Sequence, residues 1–148
     1  MSSPTATLCW GISLPYEWHP SWKLDAEEVG IDDPVSDECL AYLLDGKENP
    51  PPGNLYGTTE EKREYQSRWH KVRDRYGLTF VRFGSWGAPH YVLAIESSVV
   101  ITGTSSTKII RPEWVQADIA WLALLEEAQE KLGLTREKGD WLLAGCWD

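Results

Sequence analysis

Apolar residues recur along this chain with two periods, and they mark strands and helices in turn. In residues 6–14, Leu8, Trp10, Ile12 and Leu14 occupy every second position, the spacing of a half-buried strand that Pro15 ends. Ser36 is placed to cap a short helix through Cys39, Leu40, Leu43 and Leu44, with Gly46 as its stop. Thr58, followed three residues later by Glu61, is a capping-box signature and opens a longer helix. Tyr65, Trp69, Val72 and Tyr76 form its narrow aromatic stripe, and Gly77 ends it. Residues 78–83 and 91–102 read as a hairpin joined through Gly-Ser-Trp-Gly-Ala-Pro. Tyr91, Leu93, Ile95, Val99 and Ile101 share one face of it, and Ser97 interrupts the row, which predicts a break near Ser97 and Ser98. A second strong helix is expected from Pro112, with Val115, Ile119, Trp121, Leu122, Leu125, Ala128 and Leu132 on its apolar face and Gly133 as its stop. The segment Trp141–Trp147 reads as a last strand.

This order predicts an α+β fold. An antiparallel sheet of about four strands carries two main helices on one face, the β-α-β-β-α-β arrangement of a ferredoxin-like layer. The first and last strands would then be antiparallel neighbours, with Cys9 and Cys146 at the same end of the sheet. One domain is expected over residues 1–148. Residues 15–57 stand apart as a long, irregular, acidic insert after the first strand. It has one short helix near 36–45 and a polyproline-like connector at 49–54. So long a passage with so little regular structure is usually functional or disordered.

Charge and tryptophan content sharpen that suspicion. The chain holds nine tryptophans and a net charge of −9. Residues 25–48 contribute nine acids (Asp25, Glu27, Glu28, Asp32, Asp33, Asp37, Glu38, Asp45, Glu48) against one base, Lys47. The helix from Thr58 is locally basic instead, a dipolar layout suited to steering a charged partner. Tryptophan is seldom fully buried, so some indoles should reach the surface. Trp10, Trp69, Trp114, Trp121 and Trp141 hold periodic positions and read as structural. Trp18 and Trp22 precede the acidic run, and Trp86 sits at the hairpin tip, so these three are the candidate anchors.

The motifs for catalysis and cofactors fail one by one. His19, His70 and His90 form no HxxxH, HxH or HExxH group. Ser85 lacks the first glycine of a nucleophile elbow and joins two strands, where the elbow needs strand and helix. Gly145-Cys146-Trp147 lacks the first cysteine of a thiol-protease signature. A calcium-loop reading around Gly30 places Val29 and Ser36 at two positions that need strong oxygen ligands. Neither GxxxxGK[ST] nor GxGxxG occurs. No cofactor and no metal site is expected. Cys9, Cys39 and Cys146 are widely spaced and odd in number, which fits free thiols in a reducing compartment. The first residues lack a basic, then apolar, leader pattern, and no apolar run is long enough for a bilayer, so a cytoplasmic protein without a membrane partner is expected.

The expected function is therefore binding, with a basic protein as partner and inhibition of that partner as its concrete form. Asp25, Glu27, Glu28, Asp32, Asp33, Asp37 and Glu38 would steer the partner, and Trp18, Trp22 and Trp86 would anchor it. The alternative is an enzyme or small-ligand binder with a pocket between insert and sheet, lined by His19, Trp22 and His90. A second alternative is nucleic-acid binding through helix 58–76, where Lys62, Arg63, Arg68, Lys71, Arg73 and Arg75 interleave with Tyr65 and Trp69. Against it, long basic side chains commonly cover an aromatic stripe with their stems.

Overall fold

A computed structural model describes residues 5–14, 20–52, 58–85, 88–103, 107–111, 113 and 116–147. Its elements are β1 (Thr5–Ser13), α1 (Lys23–Glu28), α2 (Asp37–Leu44), α3 (Thr59–Tyr76), β2 (Leu78–Ser85), β3 (Ala88–Ile95), β4 (Val100–Gly103), α4 (Ile119–Leu132) and β5 (Asp140–Trp147). The class is α+β, with a mainly antiparallel sheet of five strands. The backbone separates into two compact units. One holds residues 1–18, 78–127 and 136–148, and the other holds 19–77 and 128–135.

The first unit contains the sheet, in the order β3-β2-β5-β1-β4 with a further β3–β1 pairing. β1 is its centre. One edge pairs with β5 from Thr5↔Cys146 to Gly11↔Asp140. The other edge pairs with β4 over Thr5–Leu8 and with β3 over Gly11–Ser13. β1–β5, β1–β3 and β2–β3 are all antiparallel, but β4 and a short parallel β2–β5 contact make this more than a four-stranded layer. β1 and β5 are antiparallel neighbours as expected. Their register puts Cys9 opposite Leu142 and Cys146 opposite Thr5, so the two cysteines do not share an end.

The expected break in the hairpin's second strand is a 3-10 turn, Glu96–Ser98. The Ser98 hydroxyl donates to Ile95 O at 2.6 Å and accepts from Trp10 N at 2.9 Å, so a side chain replaces the ladder bond that the turn interrupts. The turn also changes sides. Val99 packs with Cys9, Val92, Ala94, Val81, Phe83 and Leu142 on one face of the sheet. Leu93 and Ile95 are buried on the other, so the row predicted for one face is split between two. On that second face Trp121 of α4 meets Trp10 at 5.8 Å and Trp141 at 6.1 Å between ring centroids. Such tilted and edge-on pairs suit the ring quadrupoles. Gly139 is required here, since a Cβ would lie 2.5 Å from the Trp10 ring.

α4 begins at Ile119, not near Pro112, which lies outside the described residues. Asp118 provides the start, its Oδ1 accepting from Ala120 N at 3.0 Å. A proline at the first position permits a helix but satisfies none of its free N–H groups, whereas an aspartate does. Ile119 and Leu122 consequently stay exposed instead of joining the apolar face. Val115 and Trp114 lie outside the described residues.

The second unit is helical and includes most of the predicted insert. α2 and α3 begin and end as the sequence predicts. Ser36 Oγ accepts from Cys39 N at 3.1 Å. Thr58 and Glu61 close a full capping box, and Gly77 stops α3 in the left-handed region at φ 59°. The sequence did not predict α1, six residues ended by Gly30 at φ 83°. Ile31 N then reaches back to Ala26 O at 2.9 Å and buries its side chain, a Schellman-type ending with its apolar closure. Trp22, Ala26, Ile31 and residues 39–44 are all buried, so the described part of this segment has its own core. Lys131, from the end of α4, donates to Leu44 O at 2.8 Å and Tyr76 Oη at 2.9 Å within the same unit.

Candidate functional site

The second unit splits the predicted interface residues into those used internally and those left at the surface. Trp22 belongs to the first group. It is 3 % exposed and its indole N–H donates to Pro34 O at 2.9 Å, so it is a core residue and not a free anchor. The sequence placed it before any helix, whereas it caps α1 and turns inward beside Ala26. Trp18 and Trp86 lie outside the described residues.

Most acids flanking α2 have partners. Asp37 pairs with Arg73 at 3.2 Å. Asp45 sits at the negative end of α2, an unfavourable place for a carboxylate. Arg68 Nε at 3.1 Å and Asn49 Nδ2 at 3.0 Å offset that charge. Glu38 accepts from the Tyr65 hydroxyl at 2.7 Å. Burial, and then this hydrogen bond, raise the phenol above its ordinary value, so Tyr65 remains a donor at any physiological pH. Cys39 is fully buried, and desolvation, followed by the charges of Asp33 and Glu38, pushes its thiol up to about 12. Cys9 is also buried and raised by desolvation. Both are free thiols held in the unreactive protonated form.

On the α1 side, Asp25 pairs with Lys47 at 2.6 Å, and both are about half exposed. Lys47 is held in the left-handed region at φ 63° directly after Gly46 at φ 77°, the tight turn that swings its side chain back to Asp25. Asp33 turns its Oδ1 onto Val35 N at 3.0 Å, an Asx turn that leads into the α2 cap. Glu27, Glu28 and Asp32 are exposed and have no partner among the described residues.

An apolar residue that the sequence reading did not single out stands among them. Leu24 is 75 % exposed. At about 100° per residue, Leu24, Glu27 and Glu28 fall within about 100° of one another, and Trp22 and Ala26 lie opposite. The signal was present in the sequence: once Trp22 and Ala26 face inward, Leu24 must face outward. What hid it was the absence of a predicted helix there.

Of the residues expected to line a ligand pocket, His90 stacks on Phe83 at 5.1 Å in the first unit, Trp22 is buried in the second, and His19 lies outside the described residues. Among the described residues no cluster of three metal-ligating side chains exists, and no helix is long and apolar enough to cross a membrane. Comparison with family models, curated proteins and solved structures finds no match for the chain.

Proposed function

We propose that this chain acts by binding a basic protein through the outward face of α1, and that it inhibits that partner by covering it. The observation that supports the reading is a large aliphatic side chain, Leu24, 75 % exposed and followed at the next helical turn by Glu27 and Glu28, carboxylates without partners among the described residues. An apolar centre ringed by charge is the usual composition of a protein-binding patch. Asp32 adds a further charge after the α1 stop, and the net charge of −9 favours encounter with a cation-rich surface. Asp25, Asp33, Asp37 and Glu38 serve this reading by building the unit, not by touching the partner.

The test is capture from native extract by immobilised protein at two salt concentrations, followed by rate measurements with the protein recovered. Replacing Leu24 with Ser should weaken the complex by about tenfold, mainly through faster dissociation. The triple change Glu27→Gln, Glu28→Gln, Asp32→Asn should slow association and flatten its salt dependence. Identical capture by both variants and the native chain would remove this reading.

A further inference from the structure

Exposed aliphatic side chains occur in two charge settings of opposite sign. In the second unit, Leu24 is 75 % exposed beside Glu27, Glu28 and Asp32, which are exposed as well. Lys23, also exposed, is the neighbouring cation, so acids outnumber bases there. In the first unit, residues 107–111 form an irregular segment that is exposed throughout. Ile109 is 77 % and Ile110 38 % exposed, with Lys108 before them and Arg111 after them. Lys108 has no partner among the described residues, whereas Arg111 has a contact of its own. Glu113, exposed too, follows two residues later, so the cationic setting is confined to 108–111.

The two patches are counterparts. Each has an aliphatic centre with charge close beside it, negative in α1 and positive in 108–111. Among the described residues, no other large exposed aliphatic side chain lies between two cations in sequence. At physiological salt a charge acts over about 8 Å, comparable to the width of either patch. Local signs therefore outweigh the distant charges that make up most of the net −9. Like faces repel: α1 against α1 sets carboxylates against carboxylates, and 108–111 against itself sets cations against cations. The unlike pairing removes aliphatic surface from water and brings opposite charges together.

We infer that the chain associates with a second copy of itself, the α1 face of one copy docking Leu24 against Ile109 and Ile110 of the other, with Glu27 and Glu28 opposite Lys108 and Arg111. The inference rests on the reading of α1 as a binding face and adds its regulation, because a copy docked there must leave before a basic partner binds. Such a pairing closes as a reciprocal two-fold dimer or continues to further copies.

Sedimentation equilibrium of the full chain in about 0.15 M salt, from about 10 μM to 1 mM protein, tests it. The mean mass of the native chain should rise with concentration. A plateau at the dimer supports closed association, and a continued rise supports the open form. Leu24→Ser and Ile109→Ser should each weaken association by about tenfold. Glu27→Lys with Glu28→Lys moves the net charge toward zero, yet should abolish association. Lys108→Glu with Arg111→Glu should abolish it too. All four changes in one chain leave the net charge at −9, re-create the unlike pairing and should return association to within about threefold of native. If the change at Arg111 disturbs the fold, Ile109→Ser on the exposed segment still decides the outcome. A native chain that is monomeric at about 1 mM, reversals that leave the masses unchanged, or a folded four-change chain that stays monomeric would overturn the inference. A monomeric native chain whose Leu24→Ser variant still loses a captured basic protein sinks this inference alone. Self-association without any captured partner supports it and sinks the earlier reading alone.

Discussion

Each of the two units of this chain is cohesive for a different reason. In the first, aromatic and aliphatic side chains pack on both faces of a sheet whose central strand is buried from Cys9 to Ile12. Its distinctive feature is a run of indoles, Trp10, Trp121 and Trp141, close enough to interlock. In the second, helices enclose an apolar core of their own, and ion pairs and hydrogen bonds from α2 to α3 fasten its outside. Asp37, Glu38 and Asp45 are each matched by a group on α3. The lesson concerns acidic stretches in general. A block of carboxylates in sequence resembles a docking face, yet the fold can use much of it internally and leave a different set of residues for partners.

The comparison predicts its largest effect in the first unit. A Cβ at Gly11 would collide with the carbonyl oxygen of Leu93 and lie 2.8 Å from Ala94 Cα. These are backbone atoms of β3 and cannot yield easily, so Gly11→Ala should cost about 4 kcal/mol or prevent folding of the sheet. Urea denaturation together with hydrogen exchange at Trp10–Ser13 measures it. A loss below about 1 kcal/mol would mean that β1 and β3 are free to separate there.

Next comes Trp22→Ala, which opens a cavity in the core of the second unit and should cost about 3 kcal/mol. Exchange should accelerate at α1 and α2 before it does in the sheet. Uniform acceleration would show that the units do not differ in the way described.

Cys39→Ala should cost about 1 kcal/mol at neutral pH. Its sharper use is in the pH profile. The folded thiol is raised from its ordinary value of 9.0 to about 12, so the folded state holds its proton where the unfolded chain has released it. That stabilisation is complete below pH 9 and is lost as pH rises toward 12. Denaturation midpoints measured up to pH 11 should fall for the native chain and fall less for Cys39→Ala.

The smallest effect should come from the ion pairs. Asp37 and Arg73 are partly exposed, at 34 % and 28 %. Asp37→Asn should therefore cost about 0.5 kcal/mol, and 1 M salt should remove most of the difference. An effect several times larger would assign the second unit's cohesion to charge instead of its core.

Much of the fold was legible because it is written in local chemistry. Capping oxygens at Ser36 and Thr58, left-handed glycines at Gly77 and Gly133, and alternation in the first strand act within a few residues and need no knowledge of the rest of the chain. The break at Ser98 was legible as an interruption of period. Its role in closing a gap in the ladder with Trp10 was not, because the two residues are 88 positions apart. α4 starts later than Pro112 predicts, because a proline only permits a helix while Asp118 completes one. α1 was missed because its apolar positions are too few to establish a period.

By itself the sequence determined the α+β class, most element boundaries, the concentration of acids in residues 25–48 and the cationic flank of α3. Only the tertiary structure decided which of those charges cancel. It turned Trp22 inward and Leu24 outward, matched Asp37 and Asp45 to arginines, and left Lys62, Arg63 and Lys71 exposed. The reason is physical. Capping and periodicity depend on neighbours along the chain, whereas a charge or an indole takes its role from what packs beside it, often from residues dozens of positions away.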